Sequence, residues 1–120
     1  MLRKIAITYS LFIIVISLIP IPRLPLPEFN LSDKLWHGLA YMIMSFLWLR
    51  VNLITSKKME FKYIYFVISV AIITEILQGV LPIGRYFEIA DMVANFIGIL
   101  FGYIIVVSFI SKNKIIFLLF

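Results

Sequence analysis

The chain has 120 residues, 63% hydrophobic and 14% charged, with a mean hydropathy of +1.10. Soluble domains run near ~45–50% apolar and ~25% charged, and a small one buries only part of its chain, so a soluble globule is excluded. The absence of cysteine rules out a disulfide framework, a thiolate zinc site and a thiol nucleophile, and the net charge of +5 is split into short clusters rather than the basic-aromatic stripe that nucleic acid needs.

Four apolar stretches follow in chain order, over residues 5–21, 35–54, 63–81 and 89–110. A helix crossing ~30 Å of hydrocarbon needs ~17–25 residues, and continuous apolar runs lack the alternation of a barrel. The composition therefore predicts an all-α membrane protein: a bundle of four transmembrane helices forming one domain over residues 1–120. The first stretch has a basic start at Arg3 and Lys4 but no small-x-small cleavage site, and is read as an uncleaved span.

Charge sets the expected orientation. Arg3, Lys4, Arg50, Lys57, Lys58, Lys62, Lys112 and Lys114 fall on one side, and Arg23, Lys34 and Arg85 on the other. The positive-inside rule then puts both termini in the cytoplasm. Prolines 20, 22, 25 and 27 make the first external connection stiff and extended. The apolar tail Ile115–Phe120 is too short to cross again and is expected at the cytoplasmic surface.

Charge inside a membrane is expensive, so the few polar residues of the spans carry the information. Asp33, His37 and Tyr41 are spaced i, i+4, i+8 and share one face of the second helix, flanked by Lys34. The third span carries Glu75 and Gln78. The fourth carries Asp91, Asn95, Gly98 and Gly102, after Arg85 and Glu88 in the connection. At ~1.5 Å per residue, His37 lies roughly 6 Å below Asp33, and Glu75 and Asn95 each roughly 10 Å below their helix ends. All enter from the external side, which points to a water-accessible pocket in the outer leaflet.

Blander readings stand beside these. Asp33 is equally suited to capping the second helix, His37 to being a buried imidazole bonded to Tyr41 or Asp33, and Glu75 to pairing with Arg85 or His37. Arg85 and Asp91 suit an ion pair at the rim as well as anion binding. Asn95 can join helices. Gly98-x-x-x-Gly102 reads as helix packing, and Trp36 and Trp48 as interface anchors.

The ordered set Asp33-Lys34-x-x-His37-x-x-x-Tyr41, Glu75-x-x-Gln78, Arg85, and Asp91-x-x-x-Asn95-x-x-Gly98-x-x-x-Gly102 resembles the VanZ-like family. Glu88 departs from the small polar residue, such as serine, expected there, and its charge near Arg85 weakens the rim's preference for anions. The resemblance implies a small multi-span protein of the bacterial cell (inner) membrane. It also implies a link to low-level resistance to the glycopeptide teicoplanin, with which the founding member is associated.

Three functions remain open. As a binding module, Arg85 and Lys34 hold an anionic head group of a membrane lipid or lipid-linked envelope precursor, and Asp33, Tyr41, Gln78 and Asn95 bond its polar part. As a hydrolase or transferase acting on such a lipid, His37 is the acid or base, with Glu75 and Asp91 as carboxylates and Arg85 stabilising developing charge. As a structural partner subunit, the polar residues only join helices. A divalent metal on Glu75, Asp91 and His37 is conceivable, but no tight spacing such as H-E-x-x-H supports it; no metal and no cofactor is assigned. The inner half offers little beyond Ser45 and Ser69, which favours a pocket over a pore.

Overall fold

The computed structural model describes residues 1–20, 31–56 and 58–112, with the side chains of 110–112 left aside. The proline-rich connection beyond Pro20, Arg23, Lys57, Lys114 and the apolar tail lie outside the described residues. Among the described residues there are four helices: α1 (Leu2–Leu18), α2 (Leu31–Ser56), α3 (Phe61–Val80) and α4 (Ile89–Lys112). Three are long and apolar enough to cross a membrane, namely α2, α3, and α4 over Ile89–Phe109. The 17 residues of α1 sit at the lower edge of the spanning range.

Two prolines set helix ends. Ile19, before Pro20, is extended (φ −62°, ψ 127°), and so is Leu81, before Pro82 (φ −75°, ψ 147°), because a following proline clashes with a helical residue. The chain then turns through Gly84, whose φ of 78° belongs to the left-handed region that favours glycine. α2 begins four residues earlier than the apolar run suggests, which brings Asp33 and Lys34 into its first turn.

The molecule is apolar outside and polar within. Leu35, Trp36, Val80 and Phe101 are exposed, whereas Ser45, Asn52, Glu75, Asp91 and Asn95 are buried. That distribution suits a hydrocarbon surround, where helices associate through close packing and interhelical hydrogen bonds rather than hydrophobic burial. α1 packs on α2 and α3, and α4 packs most extensively on α2. Ile13, Tyr41, Met44, Val67 and Ile99 form the main apolar cluster, with a smaller one around Leu49 and Val106.

α2 and α4 run parallel. Gly38 meets Gly98, the Ser45 hydroxyl donates to the Ile99 carbonyl at 3.2 Å, and Leu49 clusters with Val106. Gly98 and Gly102 lie at this contact. A Cβ on Gly98 would collide with the Gly38 carbonyl, and one on Gly102 with the Ser45 hydroxyl.

Elsewhere, Trp48 is more than an interface anchor. Its indole N–H donates to Ser10 Oγ on α1 at 2.9 Å, and its ring packs edge-on to Phe66 at 5.0 Å. Trp36 is exposed. Asn52 pins the α2–α3 connection: its amide donates to the Lys58 carbonyl at 2.8 Å, and its oxygen accepts the Glu60 N–H at 2.9 Å.

Candidate functional site

Because α2 and α4 are parallel, their N-termini lie side by side. Both helix dipoles present their positive ends there, which favours carboxylates in the first turns. Asp33 and Asp91 occupy those turns, and Glu88 immediately precedes α4.

Lys34 sits at the centre of this end. Its Nζ lies 2.5 Å from Asp91 Oδ1, 2.6 Å from Glu88 Oε2 and 3.1 Å from Asp33 Oδ2. His37, one turn deeper, places Nε2 3.7 Å from both Asp33 Oδ1 and Asp91 Oδ2. Its other ring nitrogen, Nδ1, is 3.3 Å from Asn95 Oδ1. Exposure falls from the Asp33 side chain (47%) through His37 (22%) to Asp91 (7%), so the cluster opens to its surroundings on the Asp33 side.

Other expected site residues have different partners. Glu75, buried on α3, accepts the Glu88 N–H at 3.1 Å and so satisfies a donor at the start of α4. It pairs with neither Arg85 nor His37 by hydrogen bond. The Tyr41 hydroxyl shares a 2.9 Å hydrogen bond with Thr74 rather than with His37. Thr74 carries no signal in the sequence, because a threonine can satisfy itself on its own helix, as this one also does with the Val70 carbonyl.

Gln78 and Arg85 turn to the end of α1. Gln78 donates to the Ser17 carbonyl at 2.9 Å, and Arg85 to the Ile19 and Ile16 carbonyls at 3.1 and 3.3 Å. Pro20 stops α1 and leaves those carbonyls without helical donors. A cation at a helix C-terminus also complements its dipole. Asp91 therefore pairs with Lys34, not Arg85, and the two cations expected to grip an anion are each bonded within the protein.

The cluster is consequently acidic: Asp33, Glu88 and Asp91 surround one lysine. Burial pushes the Glu88 carboxyl up, but the hydrogen bond and positive charge of Lys34 outweigh it and hold it below the usual glutamate range. Asp33 and Lys34 from α2, Glu75 from α3 and Asp91 from α4 all face this group. A carboxylate lowered by folding contributes stability in full above its unfolded value of about 4.3 and loses it as pH falls through the lower folded value. Thermal unfolding in detergent should therefore show wild type more stable than Glu88→Gln at neutral pH, with the gap closing on acidification below that value.

Beside the cluster runs an apolar groove of about 500 Å³ between α2 and α4, lined from Leu31 and Lys34 on α2 to Phe101 on α4. Gly38 and Gly98 form part of its floor and Leu39 part of its wall.

The VanZ/LLP1 family model matches residues 3–111. The chain belongs to the VanZ/LLP1 family. With α2, α3 and α4 each able to span a bilayer, this VanZ/LLP1 chain is a membrane protein. No curated protein and no solved structure matches it significantly. Of the residues carrying the family resemblance in this VanZ/LLP1 structure, Asp33, Lys34, His37, Asp91 and Asn95 form one cluster and Gln78 and Arg85 hold α1, while Tyr41 meets Thr74, Glu75 accepts from Glu88, and Gly98 and Gly102 lie in the α2–α4 contact.

Proposed function

We propose that this VanZ/LLP1 protein crosses the bacterial cell membrane four times with both termini cytoplasmic, and binds the polar head group of an envelope lipid at the external ends of α2 and α4. The observation that carries this reading is the continuity of the acidic cluster with the apolar groove through Lys34. A lipid has the same division, with a polar head at the interface and an acyl chain along the helices. The positive-inside count supports the external placement of the cluster.

The commitment of Lys34 and Arg85 within the protein alters the expected chemistry of the head group. Carboxylates at Asp33, Glu88 and Asp91 accept hydrogen bonds from hydroxyl or ammonium groups and repel a bare phosphate. A lipid-linked sugar or amine-bearing head group therefore suits the cluster better than a purely anionic one. Retaining such a lipid is a route to envelope maintenance and to the glycopeptide response associated with the founding member.

A hydrolase or transferase acting on the same lipid is the second reading. Two carboxylates and Asn95 around His37 favour it, since they orient an imidazole for proton transfer.

Protein in lipid nanodiscs, incubated with bacterial envelope lipid extract, separates these readings by mass spectrometry of bound and free lipids. Wild type should retain one lipid class. Asp91→Asn, in the cluster, and Leu39→Trp, in the groove, should each retain it about tenfold less, a change of ~1.4 kcal/mol. Conversion by wild type alone would establish the enzyme. Equal retention by all three proteins would overturn the binding reading and leave a structural subunit.

A further inference from the structure

We infer that Asp33, His37 and Asp91 form a binding site for one divalent transition-metal ion of the Zn²⁺ class. One ligand atom from each of the three residues lies within 4.8 Å of the other two, and Asp33 Oδ1 and Asp91 Oδ2 both approach His37 Nε2. The two nitrogen–oxygen separations are 3.7 Å, too long for hydrogen bonds. Two donors about 2.1 Å from a shared ion stand 3.7 Å apart when their angle at the ion is roughly 120°. The side chains are thus spaced for an ion between them rather than for direct bonding.

Their neighbours hold them in this arrangement. Lys34 takes the opposite oxygen of each carboxylate, Asp33 Oδ2 at 3.1 Å and Asp91 Oδ1 at 2.5 Å. That contact turns the remaining oxygens, Asp33 Oδ1 and Asp91 Oδ2, towards His37. On the far side of the ring, Asn95 Oδ1 lies 3.3 Å from Nδ1 and, as a carbonyl oxygen, accepts its N–H. In the neutral imidazole that fixes the proton on Nδ1 and leaves the Nε2 lone pair facing the carboxylates, the outer contact that metal-binding histidines make.

Charge and access agree with a dication. Asp33, Glu88 and Asp91 outnumber Lys34 by two negative charges, and the partly exposed Asp33 side gives an ion an entry path. Imidazole beside two carboxylates favours Zn²⁺-like ions over Mg²⁺ or Ca²⁺. Glu75 takes no part, since its Oε1 is engaged by the Glu88 N–H. The metal site goes beyond the lipid reading and does not depend on it.

The test uses the 120-residue chain in detergent, stripped with chelator, titrated with Zn²⁺ and analysed for metal per chain after gel filtration. Wild type and Glu75→Gln should each bind one Zn²⁺. His37→Gln and Asp33→Asn should bind at least about tenfold more weakly, as should Asn95→Ala through loss of its hold on the ring. His37→Gln preserves net charge and volume closely, so it decides the matter if Asp33→Asn fails to fold. With Co²⁺ as probe, the visible bands of wild type should vanish in His37→Gln. Absence of stoichiometric Zn²⁺, undiminished binding by His37→Gln, or dependence on Glu75 in place of Asp33 would overturn the assignment.

Discussion

Lys34→Met should destabilise the protein by about 2–4 kcal/mol. Breaking a buried ion pair by removing one partner costs ~3–5 kcal/mol, and the partial exposure of Asp33 and Glu88 lowers that figure. Methionine preserves most of the side chain's length and packing, so the loss comes chiefly from charge. Without the ammonium, the carboxylates of Asp33, Glu88 and Asp91 face one another without the positive charge that now lies between them. The cluster's geometry goes with it, because Lys34 touches all three. Adding Asp91→Asn to Lys34→Met should restore a large part of the stability, since it removes the most buried of the stranded charges. The comparison is a double-mutant cycle read by thermal unfolding in one detergent. Equal losses for Lys34→Met alone and for the double variant would mean that packing, not charge, holds this end together.

The membrane character and the helix order were legible in the sequence, because long apolar runs separated by charge have few other structural solutions. Boundaries were less so. Hydropathy starts the second helix at Leu35, yet the helix starts at Leu31, since lysine and aspartate at a helix end are tolerated where they are paired. Spacing and depth grouped His37, Glu75, Asp91 and Asn95; His37, Asp91 and Asn95 do meet, beside Asp33, whereas Glu75 is taken up by the Glu88 N–H.

The partners did not follow. Spacing cannot distinguish whether Lys34 or Arg85 meets Asp91. That choice depends on α2 and α4 lying parallel in contact, and on the carbonyls that Pro20 leaves at the end of α1. Glu88, read only as a departure from the family pattern, is a principal partner of Lys34. Asn52 and Thr74 act through backbone and hydroxyl contacts between elements, and such contacts leave no periodic mark.

Gly98→Ala should be the most damaging single-methyl change in the α2–α4 contact, costing about 1–3 kcal/mol by overpacking. The added Cβ would meet the Gly38 carbonyl oxygen, with the Gly38 carbonyl carbon at 2.8 Å and Cα at 3.0 Å. All are backbone atoms, so no rotamer change relieves the clash and the helices must separate. Separation would loosen the Ser45–Ile99 hydrogen bond and the floor of the groove with it. Gly38→Ala provides the contrast from across the same crossing. Among the described residues its Cβ has only the Ala94 carbonyl oxygen nearby, at 3.4 Å, an ordinary contact, while alanine gains up to ~1 kcal/mol of helix propensity over glycine. That variant should be neutral or slightly stabilised. Gly102→Ala falls between them: the Ser45 hydroxyl can rotate away, but the Met42 carbonyl oxygen at 2.7 Å cannot. The order Gly98, Gly102, Gly38 in falling cost should appear in thermal midpoints measured side by side. Equal midpoints for Gly98→Ala and Gly38→Ala would show that α2 and α4 do not cross at this distance.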